Sequence, residues 1–203
     1  AEGAPLYATK AVDPIIINAG DGAHEHPTQA LLDMYSILEK KESIEGLKIV
    51  ILGDIMHSRV ARSSIYGLTK MGADVHLAGP RTMVYPEFAK MGVTVHHDVR
   101  EAVADADVVN VLRIQLERIH SALYPTNREY ARIFGINKDV LKLAKDDVMV
   151  MHPGPMNRGL EIAPDVAYSD RSVIQEQVRN GVAIRMAVLY LTIHGGDGSE
   201  LAY

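Results

Sequence analysis

Two polar side chains at a predicted helix start have the spacing to bind one ligand. The segment from Asn18 to Gln29 reads NAGDGAHEHPTQ, and Pro27 within it favours the first turn of a helix. His26 and Gln29 are three positions apart, so one helical turn can direct both at the same molecule. The free N–H groups at a helix start favour an anion or a developing oxyanion. An imidazole donor and a carboxamide suit a polar carbonyl compound; the alternative is a plain turn with His26 as a cap.

A second candidate cluster follows the most apolar predicted strand, Lys48–Leu52. The segment GDIMHSRVARS comes directly after it and places Arg59 at the start of a predicted helix. A guanidinium at that position suits bidentate binding of a carboxylate. The glycines of a G-x-G-x-x-G motif are absent, which disfavours an NAD-linked oxidoreductase, since that site needs close backbone approach to a pyrophosphate. The alternative for Arg59 and Arg62 is a solvated helix face.

Two further clusters follow later strands. Arg113 and Gln115 are two positions apart, and in an extended chain such residues point to the same side, so both can reach one ligand. The segment HPGPMNRG follows the last predicted strand. Its Pro153, Gly154 and Pro155 impose a backbone course whose carbonyl oxygens can accept hydrogen bonds from an amino group. A rigid loop with a purely structural role is the alternative.

Composition excludes several other classes of function. The pair His96 and His97, like His24 and His26, lacks supporting carboxylates or metal-ligand spacing, so we expect no metal and no cofactor. The net charge is −5 and neither sign forms a long block, which argues against nucleic acid or a membrane surface as partner. The longest apolar runs fall far short of the ~18 residues of a membrane span. The chain contains no cysteine, which is compatible with the cytoplasmic location we predict.

The elements that must position these clusters alternate in type along the chain. Short apolar runs alternate with amphipathic segments, which is typical of a parallel sheet with helical crossovers on both faces. The predicted fold class is therefore α/β, a doubly wound, Rossmann-like parallel sheet, which binds ligands beyond the carboxyl ends of its strands. The predicted strands are Lys48–Leu52, Val75–Ala78, Val93–His96, Val108–Leu112 and Val148–Met151.

A second, incomplete unit precedes this sheet. Ile15–Ile17 is a further predicted strand, and Pro27 opens a helix that runs to about Lys40. One strand and one helix do not form a domain, so residues 1–45 are predicted to be the C-terminal part of a second α/β domain with its linking helix. Residues 46–172 then form the main domain, residues 173–194 a long helix that returns toward the first domain, and residues 195–203 a tail.

Four motifs, taken together, resemble those of the aspartate carbamoyltransferase catalytic chains. They are NAGDGxxxHPTQALLD, GDIMHSRVARS, LRIQLER and MHPGPMNRGLEI, and the resemblance covers residues 2–194. The ornithine-specific sister family carries a cysteine in an HCLP motif at the position of HPGP, and this chain has none. The resemblance therefore favours the aspartate branch.

The resemblance implies a reaction and a role for each cluster. The reaction is transfer of the carbamoyl group from carbamoyl phosphate to L-aspartate in pyrimidine biosynthesis, without a cofactor. His26 would donate to the carbonyl oxygen, Gln29 would contact the amide, and the backbone of residues 153–155 would hold the same group. Arg59, Arg113 and Gln115 would bind the carboxylates of aspartate in the domain 46–172. A homotrimer is implied, and regulatory or dihydroorotase chains are candidates for further partners.

One departure from the family pattern limits what the chain can do alone. A phosphate-binding Ser-Thr-Arg-Thr segment and a mobile Ser and Lys loop, both typical of the family's first domain, are not in this sequence. We therefore expect about half of the active site to lie outside these 203 residues. The alternative function is an inactive, truncated or paralogous module that serves in binding or assembly.

Overall fold

The central element is a five-stranded parallel sheet in the order β3-β2-β1-β4-β5. The computed structural model describes residues 2–114 and 124–195. Ile49 on the central strand pairs with Val75 on one side and with Val108 on the other. The predicted fold class is thereby confirmed. The strands are β1 Lys48–Leu52, β2 Asp74–Ala78, β3 Thr94–His96, β4 Val108–Val111 and β5 Met149–Met151.

Helices connect the strands and precede and follow the sheet. The segment Pro86–Met91 is a 3-10 helix, and the sequence patterns did not predict the helix Asn127–Phe134. The long last helix is confirmed, starting one residue later than predicted. The α-helices are α1 Ala4–Ala8, α2 Pro27–Lys41, α3 Arg59–Lys70, α4 Val99–Val103, α5 Asn127–Phe134, α6 Lys138–Leu141, α7 Pro164–Ala167 and α8 Ile174–His194.

Alternate residues of the central strand build two separate apolar cores, one on each face of the sheet. Ile49 and Ile51 belong to the core that includes residues of α2 and α3. Val50 and Leu52 belong to the core that includes residues of α4 and α6. Both cores bury continuous apolar runs, which explains why the strands show no alternation of polar and apolar residues.

The predicted strand Ile15–Ile17 is wrong. Residues 15–18 have no regular secondary structure, and the side chain of Ile15 is mostly exposed. A strand exists only through hydrogen bonds to a neighbouring strand, and the sheet formed by the described residues lies elsewhere. The apolar sequence was therefore not sufficient to specify a strand.

Helices α2 and α8 pack against each other beside the sheet. The hydrogen bond from Gln177 Nε2 to Asp33 Oδ1 joins them at 2.8 Å. Beyond this contact α8 presents an apolar surface to solvent. Its exposed members are Val178, Val182, Met186, Leu189 and Ile193. In the described part of the chain, no helix is long and apolar enough to cross a membrane.

Candidate functional site

Residues of three predicted clusters follow the carboxyl ends of the strands β1, β4 and β5. Strands β2 and β3 are added to one edge of β1, and β4 and β5 are added to its opposite edge. The crevice between β1 and β4 is therefore the topological switch point, where sheets of this kind bind ligands. Arg59 follows β1, Arg113 follows β4, and Pro153 follows β5.

His26 lies at the N-terminal end of α2 and is neutral at physiological pH. Its backbone N–H donates to Ser63 Oγ at 2.9 Å, which ties this end of α2 to α3. Burial, assisted by the positive charges of Arg59 and Arg185, lowers the pKa of His26 to about 4. As a cap residue it makes no side-chain hydrogen bond to the helix start. The ring is thus available as a neutral hydrogen-bond donor next to two cations.

Arg59 is the first residue of α3 and lies under the loop that precedes α2. Ser58 caps this helix by accepting from the N–H of Ala61 at 3.2 Å. Gly20 has a φ of +122°, and a Cβ there would lie 2.7 Å from Arg59 Cζ. The loop therefore passes close to the guanidinium, and the positive φ of residue 20 favours glycine there. The Gly20 N–H donates to Asn18 Oδ1 at 2.8 Å, which holds the turn closed.

Gln29 belongs to a buried set of polar side chains that links α2, α8 and β4. Its Nε2 donates to Asp33 Oδ1 at 2.9 Å. The same oxygen accepts from Gln177 Nε2 at 2.8 Å, and Asp33 Oδ2 lies 3.5 Å from Asn110 Nδ2. Burial raises the pKa of Asp33 to about 6, although the hydrogen bonds from Gln177, Gln29 and Asn110 act in the opposite direction.

The loop after β5 is held from both ends. The N–H of His152 donates to Gln177 Oε1 at 2.9 Å, and the N–H of Gly154 donates to His152 Nδ1 at 2.9 Å. His152 Nδ1 is therefore an acceptor, so its Nε2 carries the proton and donates to the buried Glu161 at 3.2 Å. Asn157 contacts the same carboxylate through its backbone N–H.

A cavity of about 230 Å³ lies between α2, α8 and the loop after β5. Gln29, Pro153 and Gly154 line it, together with Gln177 and Arg185. Pro155 follows directly through a cis peptide bond from Gly154. The structure therefore brings Gln29, Arg185 and the loop residues together, and the positive charges of Arg59 and Arg185 both act on His26.

Of the predicted pair Arg113 and Gln115, the structure describes Arg113. Arg113 lies at the carboxyl end of β4, and the carbonyl of the next residue, Ile114, accepts from Asn157 Nδ2 at 2.9 Å. The segment with Arg113 is thus tied to the loop after β5. Gln115 lies outside the described residues, so its predicted role is not located.

Sequence reasoning missed three polar residues of this region: Asp33, Gln177 and Arg185. Gln177, Gly181 and Arg185 are four positions apart and share one face of α8. A Cβ at Gly181 would lie 2.7 Å from Arg185 Nη1, so the missing side chain leaves space for the guanidinium. This stripe of polar and small residues on one face of α8 was the available signal.

The histidine pairs considered as metal ligands have other partners. His24 Nδ1 lies 3.1 Å from Asp21 Oδ2. His96 Nε2 lies 2.8 Å from His76 Nδ1, and His97 faces the carbonyl of Gly79. Among residues 2–114 and 124–195, no group of three histidine, aspartate or glutamate side chains is arranged to hold a metal ion.

Two family models match this chain, and together they cover nearly all of it. The Asp/Orn binding domain of aspartate/ornithine carbamoyltransferase matches residues 45–192. The carbamoyl-P binding domain of the same enzymes matches residues 3–39. The predicted division at residues 45 and 46 stays a prediction.

Similar proteins include aspartate carbamoyltransferase catalytic subunits from several bacteria. The chain is 60% identical to that of Desulforamulus reducens over 202 residues, which is 100% of this chain and 64% of the relative. It is 61% identical to that of Pelotomaculum thermopropionicum over 194 residues, 96% of this chain and 63% of the relative. The chain therefore spans somewhat less than two thirds of the length of these relatives.

Solved structures of the same enzymes share the fold. The aspartate transcarbamoylase of Trypanosoma cruzi in complex with carbamoyl phosphate is 30% identical, with a TM-score of 0.80 over 93% of this chain and 62% of that one. The ornithine carbamoyltransferase of Pyrococcus furiosus is 35% identical, with a TM-score of 0.74 over 86% of this chain and 58% of that one. The match of the family models, the relatives and the folds shows that this chain belongs to the aspartate/ornithine carbamoyltransferase family.

Proposed function

We propose that this chain takes part in carbamoyl transfer from carbamoyl phosphate to L-aspartate, which gives N-carbamoyl-L-aspartate and phosphate in pyrimidine biosynthesis. The observation that carries the proposal is that Gln29, Arg185 and the loop residues 153 and 154 line one cavity. His26, at the start of the same helix as Gln29, is kept neutral by burial and by the charges of Arg59 and Arg185. The amine of aspartate forms the new C–N bond, the C–O bond to phosphate breaks, and the departing phosphate takes the proton from the amine. Such a step needs orientation and a stabilised oxyanion, and no covalent intermediate.

His26 is the proposed donor to the carbonyl oxygen of the carbamoyl group. Thr28 Oγ1 lies 3.4 Å from His26 Nδ1, and a hydroxyl that donates there leaves the proton of the neutral ring on Nε2. A neutral donor strengthens its bond as negative charge grows on the carbonyl oxygen. It keeps the same protonation state throughout the neutral pH range.

The opposite side of the carbamoyl group would be bound by acceptors. Gln29 offers a carbonyl oxygen, and the backbone carbonyls of residues 153–155 offer others, all suited to the amino group of the substrate. Arg59, Arg113 and Gln115 are proposed to bind the two carboxylates of aspartate. The names of the relatives as aspartate carbamoyltransferases support the choice of aspartate over ornithine.

Assembly and location belong to the proposal as well. In a homotrimer of the whole catalytic chain, a neighbouring subunit would supply the Ser and Lys loop to each site. A cytoplasmic location and association with regulatory or dihydroorotase chains stay predictions. A monomeric mass in solution, combined with full activity, would contradict the shared site.

The test uses the whole catalytic chain, including any segment that precedes residue 1. Carbamoyl phosphate is supplied with L-aspartate or with L-ornithine, and the ureido product is measured by colour. We expect product from aspartate and little from ornithine. Equal or greater product from ornithine would overturn the substrate assignment, and no product from either would favour the binding or assembly module.

A matched pair of histidine variants tests the role of His26. His26→Ala is expected to lower turnover about a hundredfold, since the loss of one oxyanion donor has that effect, with a smaller change in the KM for aspartate. His194→Ala is the control, because His194 is exposed near the end of α8 and stacks on Tyr190. Unchanged turnover in His26→Ala would mean that His26 serves only as a helix cap.

A further inference from the structure

The carboxylate of Asp33 is the centre of the polar contacts between α2, α8 and β4. Its side chain is buried, with 2% of the residue exposed. Three side-chain amides surround it, those of Gln29, Gln177 and Asn110. Within residues 2–114 and 124–195 it forms no ion pair with a basic side chain. A buried carboxylate with amide partners is unfavourable for stability, so its presence points to another role.

An ionised carboxylate determines which end of each neighbouring amide faces it. It can only accept hydrogen bonds, so Gln29 and Gln177 must both turn their NH2 groups toward Asp33. The observed distances from Nε2 to Oδ1 are 2.9 Å for Gln29 and 2.8 Å for Gln177. An asparagine at position 33 could donate or accept, and it would leave the orientation of both amides open.

The fixed orientations have consequences at the cavity. With its NH2 group on Asp33, Gln29 turns its carbonyl oxygen away from the carboxylate, and its side chain lines the cavity. With its NH2 group on Asp33, Gln177 directs Oε1 to the N–H of His152 at 2.9 Å. One carboxylate thus fixes an acceptor on α2 and the start of the loop 152–155.

We infer that Asp33 is a positioning residue for the proposed carbamoyl transfer, acting through Gln29 and Gln177. The inference rests on the proposed function. Asp33 orients the Gln29 carbonyl to accept from the amino group of the carbamoyl moiety. Through Gln177 it also holds the backbone of residues 153–155 against the same group.

A swap of polarity between two positions tests this role. Asp33→Asn replaces the oxygen that accepts from both glutamines with one end of a carboxamide. That end can be the carbonyl or the NH2 group, so neither glutamine amide is held in one orientation. In the double variant Asp33→Asn with Gln177→Glu, the amide NH2 introduced at position 33 can donate to the carboxylate introduced at position 177. The other oxygen of that carboxylate can accept from the His152 N–H, and the amide carbonyl at position 33 remains for Gln29. The swap therefore reverses the polarity of the bond between positions 33 and 177, while Gln29 and the His152 N–H keep an acceptor.

The kinetic readout separates positioning from general damage. In the whole catalytic chain, Asp33→Asn is expected to lower kcat/KM for carbamoyl phosphate about tenfold or more, as the loss of one oriented hydrogen bond does. The KM for aspartate should change by less, because the partners of Asp33 in the described part of the chain are Gln29, Gln177 and Asn110, none of which is a proposed ligand of aspartate. The double variant should recover most of the loss. Wild-type kinetics in Asp33→Asn, or a double variant no better than the single one, would overturn the inference.

A readout without turnover distinguishes failure of this inference from failure of the proposed function. In protein labelled with 15N-glutamine, the side-chain amide signal of Gln29 should move in Asp33→Asn and return in the double variant. If Asp33→Asn does not fold, the double variant must restore both the fold and this signal. An unmoved Gln29 signal in a folded Asp33→Asn protein contradicts the inference, whether or not the wild type transfers carbamoyl groups.

Discussion

Helix α2 has two buried faces of opposite chemical character. Toward α3 it packs Met34 and Ile37 against Ile65 and Leu68 within one apolar core. A Cβ on Gly67 of α3 would lie 2.8 Å from Met34 Sδ, so the two helices are in close contact there. Toward α8 the same helix presents mainly polar side chains that form direct hydrogen bonds.

The contact between α2 and α8 depends on the direction of its hydrogen bonds as well as on the area that it buries. Asn180 Nδ2 donates to Ser36 Oγ at 3.0 Å and to Glu39 Oε2 at 2.9 Å. Together with the bond from Gln177 to Asp33, these contacts set the rotation of α8 relative to α2. Apolar packing is not directional and tolerates small rotations, whereas hydrogen bonds weaken steeply with angle. The apolar face thus supplies stability, and the polar face positions Gln29 and Arg185.

The largest effect on stability is expected at the apolar face. Ile37→Ala removes a fully buried side chain and should lower the free energy of unfolding by about 2 to 5 kcal/mol, through lost burial and a residual cavity. Leu31→Ala on the exposed side of the same helix is the control, with an expected change below about 1 kcal/mol. Urea unfolding measures both. Equal losses would mean that the α2–α3 contact contributes little.

The polar face should make the free energy of unfolding depend on pH. Burial raises the pKa of Asp33 to about 6 from 3.8. The folded protein therefore holds this proton more tightly than the unfolded chain does. The contribution of Asp33 to stability is full below pH 3.8 and is lost as pH rises through about 6. A shift of about two units corresponds to a loss of at most roughly 3 kcal/mol.

The comparison of wild type with Asp33→Asn isolates this titration, since the other groups are common to both proteins. Between about pH 4.5 and 7.5, urea unfolding should show the wild type losing stability relative to the variant. A difference that stays constant with pH would mean that the carboxylate is solvated or paired with a cation. The apolar Ile37→Ala variant is the matched control, because its difference from wild type should not depend on pH.

These two faces also differ in how far the sequence predicted them. Apolar periodicity located α2, α3 and the central sheet, because burial of apolar residues repeats with the period of each element. The positions of His26, Gln29 and Arg59 followed from motifs at strand ends and helix starts. Asp33 and Arg185 could not be found in this way, since their role depends on which helices meet. A charged residue within an amphipathic helix is usually solvated, and the tertiary contacts with Gln177 and Asn110 distinguish Asp33.

A smaller effect is expected from a single polar contact at the α2–α8 face. Asn180→Ala removes the donor to Ser36 and Glu39 and should lower the free energy of unfolding by about 1 to 2 kcal/mol. The activity of the whole catalytic chain should fall with it if the rotation of α8 sets the position of Arg185. A loss of stability with unchanged kinetics would limit this contact to a structural role.

The smallest effect is expected at the rim of the same face, where solvent reaches the contact. Arg179 Nη2 lies 3.3 Å from Glu39 Oε1, and their side chains are 69% and 37% exposed. Water screens such a pair, and ordering two long side chains opposes it, so Arg179→Ala should change the free energy of unfolding by about 0.5 kcal/mol or less. Added salt should reduce even this difference, since the pair lies in reach of ions. A loss of stability as large as that of Asn180→Ala would show that the exposed ion pair contributes as much as the buried hydrogen bonds. The exposed edge of α2 would then have to be counted with the faces that stabilise the protein.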